Sequence, residues 1–240
     1  MGGFRIPGPQ CYADPSIEDG TLARTKSPTP GPVCVTRLYC DPEDMELSAT
    51  QAIYVFFFGG YQSSPSDVNL WSESARKQRP DVTFNAFPYP PDTPSEPPGN
   101  VLEKFRSAIE SIKNTKADKI FVVGHSSGCA IANGVARRLS ENDKIALVAL
   151  DGFLPDAKQL KRPSTQVWGA VSGNAKSLHH DGMKSGGKER FHEFTANPDC
   201  TTKVALHFSL VNRAANDRDI KNFHDIKNGY KACVANLCWL

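Results

Sequence analysis

No stretch of this chain approaches the roughly 20 consecutive apolar residues that a bilayer-spanning helix needs, so no membrane span is expected. The N-terminus also lacks the roughly 7–15-residue apolar core of a secretory signal. Ile6 stands where a myristoylated Met1-Gly2 start would want Ser or Thr. A cytoplasmic location is the resulting expectation. Net charge is scarce too: 28 Lys and Arg against 26 Asp and Glu leave +2, which points to neither nucleic acid nor an anionic membrane surface as partner. The one local bias is residues 156–190, where seven basic residues face three acidic ones, read as a solvated loop face. The seven cysteines (11, 34, 40, 129, 200, 233 and 238) are odd in number and lack the spacing of metal ligands. Reduced, mostly buried thiols are expected, with no metal and no cofactor.

What the chain does have is enough apolar sequence for one sizeable core: 39% of its 240 residues are hydrophobic. Residues 1–48 are rich in Pro, Gly and polar residues and read as an irregular arm, with Val33 to Tyr39 as an edge-strand candidate. From residue 49 to 240 the pattern becomes that of a single α/β domain. Ala52 to Phe58 is an unbroken apolar run ending at Gly59-Gly60, as expected for a strand buried on both faces. Further strands are predicted at Val82–Phe87, Ile120–Val123, Ile145–Leu150, Gln166–Val171 and, last, Lys203–Val211. A helix is predicted from an Asn100 cap through Ile112, and a terminal one from Ile226 with Tyr230, Cys233 or Val234, and Leu237 on one face. Alternating strands and helices imply a mainly parallel sheet with helices on both faces. Residues 173–200 read as an insertion.

Residues 120–128, Ile-Phe-Val-Val-Gly-His-Ser-Ser-Gly, concentrate the chemical information. Gly124, Ser126 and Gly128 form the only G-x-S-x-G match in the chain, between a strand and a helical run from Cys129 to Ser140. A serine at the tip of such a turn is strained, and its neighbours must be small for the chain to fold back. The turn aims amide N–H groups at the point where an oxyanion would form. A serine hydroxyl is a weak nucleophile, so it needs a histidine base, itself oriented by a carboxylate. Each partner is expected at the carboxyl end of a strand.

Asp151 directly follows Ile145–Leu150, whereas no carboxylate follows Gln166–Val171 before Asp181. Position therefore favours Asp151 as the acid, its bland alternative being an Asp-Gly turn. Of six histidines, His224 lies beyond the last predicted strand and immediately before the terminal helix, so it is the expected base, with His180 second. His125 reads as packing beside the nucleophile, and His207 as a mid-strand imidazole. The oxyanion donors are expected to be the Ser127 amide and that of Gly60 or Tyr61, in the Phe58-Gly59-Gly60-Tyr61 loop.

With the Gly-His-Ser-Ser-Gly elbow, Asp151 after its strand and His224 before a terminal helix, the chain resembles the α/β-hydrolase superfamily. More narrowly it resembles the thioesterase branch of polyketide and non-ribosomal peptide synthesis, over roughly residues 50–240. The resemblance implies Ser126 as nucleophile, Asp151 as acid and His224 as base, acting without a cofactor on an acyl thioester or ester. An acyl carrier protein would be a partner. It leaves open hydrolysis against cyclisation, a carboxylesterase or lipase-like activity on a small ester, and a non-catalytic binding protein on the same fold. Such thioesterases usually carry a helical lid before the next strand, and Gly152–Thr165 is too short for much more than one helix.

Overall fold

In the computed structural model, residues 51–90, 102–152, 165–231 and 234–240 are described. The arm of residues 1–48 with its candidate edge strand, the Asn100 cap and Cys233 lie outside them. The elements run β1 (Ile53–Phe58), α1 (Pro65–Gln78), β2 (Val82–Phe87), α2 (Arg106–Asn114), β3 (Lys119–His125), α3 (Gly128–Arg138) and β4 (Ile145–Leu150). They continue with β5 (Gln166–Ser172), β6 (Ala175–Lys176), α4 (His180–Gly187), β7 (Phe191–Thr195), α5 (Lys203–Ser209) and α6 (Ile226–Gly229). The sheet runs in the order β2-β1-β3-β4-β5, with β7 parallel to β5 and the short β6 antiparallel to it.

Side chains alternate across a strand, and each central strand here buries both sets. Val55, Phe57, Phe121, Val123, Val148 and Leu150 face one layer, formed with Val68 and Trp71 of α1, Leu206 and Phe208 of α5, and Tyr230. Phe56, Phe58, Ile120, Val122, Leu147 and Ala149 face the other, against Ile109 and Ile112 of α2 and Ile131 and Val135 of α3. The expected sheet, covered on both faces, is therefore the observed one. From β1 the chain first steps outward to β2, then returns past β1 to β3. The crevice at this reversal, outside the carboxyl ends of β1 and β3, is where open parallel sheets bind ligands.

Two expectations are corrected. Lys203–Val211 is not a strand: α5 occupies Lys203–Ser209. Its residues Ala205 to Ser209 are all buried, and an apolar run enclosed on all sides has no periodicity to separate helix from strand. The last strand is instead β7, inside the supposed insertion. The terminal helix is also shorter than expected, ending at Gly229.

Candidate active site

Three described non-glycine residues have positive φ: Gln62 (65°), Ser126 (56°) and Asp151 (42°). They lie in the turns after β1, β3 and β4 respectively, so the strained backbone collects along one edge of the sheet. Strain of this kind costs about 1–3 kcal/mol per residue and collects where a site requires it.

Ser126 is the elbow expected from the sequence. Its N–H donates to the Leu150 carbonyl (3.1 Å), and α3 starts two residues later. The flanking glycines are dictated by space. A Cβ on Gly128 would lie 2.2 Å from the Phe58 carbonyl oxygen, and one on Gly124 would lie 2.4 Å from that of Gly128. Cys129 packs directly beneath the turn and donates to the Gly124 carbonyl (3.1 Å). Burial raises its thiol far above the ordinary range, which keeps it protonated.

Asp151 is fully buried and hydrogen-bonded at both oxygens. Oδ1 accepts from the Ser177 hydroxyl (2.6 Å) and the His179 amide (3.1 Å). Oδ2 lies 2.7 Å from His207 Nδ1. A carboxylate oxygen accepts here, so His207 Nδ1 is the donor and Nε2 is the ring nitrogen left unengaged by Asp151. His207 lines the same cavity as Ser126, with no direct hydrogen bond between them.

The imidazole on Asp151 is thus His207, not His224. The His224 side chain is exposed, and its backbone N–H donates to Asn222 Oδ1 (2.8 Å). The logic of a base beyond the last strand survives, because His207 follows β7 once that strand is correctly placed. The usable signal was Thr201-Thr202, a helix-capping pair just ahead of the apolar run.

His180, the second candidate, is buried between two carboxylates, with Nδ1 3.0 Å from Asp181 and Nε2 2.8 Å from Glu193. That leaves no lone pair for a serine proton. Asp181, the alternative acid, is exposed. Hydrogen bonds from Lys176 and then His180 hold its carboxyl at about 2.

The helix that carries His207 is anchored at its start. Thr202 caps α5 through its side chain. Asp217 accepts from the amides of Thr201 (2.8 Å) and Thr202 (3.0 Å) and from both hydroxyls. Partial burial pulls the Asp217 carboxyl upward, but the threonine hydrogen bonds outweigh it and leave it below the usual range. A depressed folded-state value contributes stability above the unfolded carboxylate value, and that contribution fades as pH falls through the folded one. Asp217→Ala is therefore expected to lower stability by about 1 kcal/mol near neutral pH, the clamp being part-exposed and screened. Thermal melts of variant and wild type should converge as pH falls through the depressed value of the Asp217 carboxyl.

Of the expected oxyanion donors, the Ser127 and Tyr61 amides donate to no described residue, and both residues line the cavity. The Gly60 amide is engaged: it donates to Tyr230 Oη (2.9 Å). Gly60 is corrected to a different role, holding the turn against Ser126, whose Cβ would lie 2.8 Å from a Cβ added there.

The cavity measures about 260 Å³, just below the roughly 300–1,000 Å³ usual for small-molecule sites. Its described lining includes Tyr61, Leu178, Phe208 and Phe223 and no Asp, Glu, Lys or Arg. Tyr61, Leu178 and Phe223 are three of the four exposed large hydrophobics among the described residues. Apolar surface is thus concentrated at the rim, where a substrate would enter. Among the described residues, no group of three His, Cys, Asp or Glu side chains could hold a metal ion, and no helix is long and apolar enough to cross a membrane.

Ser126 after β3, Asp151 after β4 and His207 in the helix after β7 are thus brought together at the carboxyl edge of the sheet. The chain is similar in fold to a CIB-like hydrolase from Thermoplasma acidophilum, at 11% identity and a TM-score of 0.45, covering 62% of this chain and 78% of that one. It is also similar to Est1E from Butyrivibrio proteoclasticus, at 12% identity and a TM-score of 0.45, covering 62% and 79%. A cutinase-like protein from Cryptococcus sp. is similar at 14% identity and a TM-score of 0.38, covering 75% and 92%. No family model matches the chain, and no curated protein matches it.

Proposed function

We propose that this chain is a serine hydrolase that cleaves esters or thioesters of small, uncharged acyl groups through an acyl-enzyme. Ser126 is the nucleophile, His207 the base and Asp151 the acid. The carrying observation is the buried 2.7 Å contact between His207 Nδ1 and Asp151 Oδ2 beside the strained Ser126. It leaves Nε2 as the nitrogen that Asp151 does not engage, on a ring that lines the cavity together with Ser126.

In the first half-reaction, His207 Nε2 takes the Ser126 proton as Oγ attacks the substrate carbonyl carbon. The oxyanion of the tetrahedral intermediate meets the Ser127 and Tyr61 amides. His207 then returns the proton to the leaving alkoxide or thiolate. Water repeats the sequence to release the acid. Asp151 holds the imidazole in the Nδ1–H tautomer throughout.

Thioester and oxygen ester share this route, since the oxyanion is the same for either leaving group. The thioesterase role, with an acyl carrier protein as partner, is the finer expectation. An apolar cavity of about 260 Å³ suits a short acyl chain. Fluorophosphonate labelling, which should stop in Ser126→Ala, tests for the nucleophile. A matched panel of acyl-N-acetylcysteamine thioesters, acyl-CoA and p-nitrophenyl esters from C2 to C12 then tests the leaving group and chain length. Absence of labelling and turnover would favour the binding-protein reading.

Asp151→Asn should lower kcat by up to about 10⁴-fold, because the amide favours the wrong histidine tautomer. Steady-state kinetics on the best ester of the panel check it.

A further inference from the structure

His125 and Tyr230 form a buried chain that leads from the oxyanion loop to the backbone of the base. The Gly60 amide donates to Tyr230 Oη (2.9 Å), Tyr230 Oη lies 2.8 Å from His125 Nδ1, and His125 Nε2 lies 3.1 Å from the His207 carbonyl oxygen. All three side chains are buried, at 0% exposure for His125 and 1% for Tyr230 and His207.

The protons in this chain have one arrangement. The His207 carbonyl can only accept, so His125 Nε2 carries the hydrogen. A neutral His125 then has a lone pair on Nδ1, which accepts the Tyr230 hydroxyl proton. Tyr230 Oη is left to accept from Gly60. Burial first, and the neighbouring His207 second, hold His125 well below the ordinary histidine range, and burial raises Tyr230 far above the ordinary tyrosine value. Neither group changes charge near neutral pH, and the chain stays as drawn.

We infer that Tyr230 and His125 are positioning residues that set the oxyanion loop and the base in register, an inference that rests on the serine-hydrolase reading above. Tyr230 removes the Gly60 amide from competition and pins the turn, so that the next amide, Tyr61, is the one presented to the oxyanion. His125 fixes the α5 backbone at the residue whose ring abstracts the proton. The same two rings pack on one another and on Phe208: His125 is 4.4 Å from His207, 5.5 Å from Phe208 and 5.6 Å from Tyr230 between centroids. The oxyanion exists only in the transition state, so a misplaced loop should cost kcat and spare KM.

The test uses the full chain with p-nitrophenyl butyrate and a fluorophosphonate probe. Tyr230→Phe removes one hydroxyl and should lower kcat about 10- to 100-fold, the range for a small displacement of catalytic groups, with KM within about twofold. His125→Leu should do the same, and the double variant should be no slower than the slower single one, as for residues acting as one unit. His125→Asn, whose Oδ1 can stand in for Nδ1, should recover part of the loss. If Tyr230→Phe fails to fold, the two His125 variants carry the kinetic comparison.

Independently of activity, ¹⁵N–¹H correlation spectra of the imidazoles should show His125 as the Nε2–H tautomer, with its Nδ1 resonance displaced in Tyr230→Phe. A kcat within about threefold of wild type in Tyr230→Phe and His125→Leu, or a Nδ1–H tautomer for His125, overturns the positioning role. A wild-type chain inert to ester and probe, yet showing the Nε2–H tautomer, overturns the hydrolase reading and the positioning role with it.

Discussion

Ser126→Ala is expected to abolish turnover and probe labelling, with kcat falling by about 10⁶-fold, the scale set by loss of a triad nucleophile. The fold should survive, because alanine retains the Cβ that already sits at φ 56° and only a hydroxyl is removed. Ser126→Gly sharpens the test. It should be equally inactive but more stable than Ser126→Ala by about 0.5–1 kcal/mol, since glycine relieves the left-handed strain at some entropic cost. Steady-state kinetics and thermal melts on the three proteins check both halves. Near-full activity in either variant would sink the elbow as the source of the nucleophile.

His207→Ala carries the second large effect and decides between two histidines. Its loss should lower kcat by about 10⁴- to 10⁶-fold, leaving only what the oxyanion donors and binding contribute. His207 is also packed between His125, Phe208 and Phe223, so alanine there opens a hole. His207→Gln, of closer volume, separates lost chemistry from lost packing. It should melt near wild type yet remain as slow as the alanine variant. His224→Ala should keep kcat within about twofold, as expected for an exposed residue that does not line the cavity. The reverse pattern would restore the assignment made from sequence order alone.

Where reading the sequence succeeded, the information was local. Ser126 was found because an elbow needs small residues on both sides of the serine, and Gly124 and Gly128 are those residues. Asp151 followed from counting one strand onward, since Ile145–Leu150 is bounded clearly enough to place its end. The strand expected at Lys203–Val211 hid His207 because Ala205 to Ser209 are all buried, and the helical nature of the segment is set by the Thr202 cap, the Asp217 clamp and the core layer it packs into. The loop after β1 was singled out, but not which of its amides stays unengaged.

The sequence by itself determined the parallel sheet, the tight turn at Ser126 and the place of Asp151 at its strand end, because strand burial and tight-turn sterics act over a few residues. Only the tertiary structure decided which histidine meets Asp151 and which amide of the loop after β1 stays unengaged. The Asp151–His207 contact spans 56 positions, the Gly60–Tyr230 contact 170 and the His125–Tyr230 contact 105. No local spacing encodes such pairings: they follow from which helix ends come to rest over the carboxyl edge of the sheet.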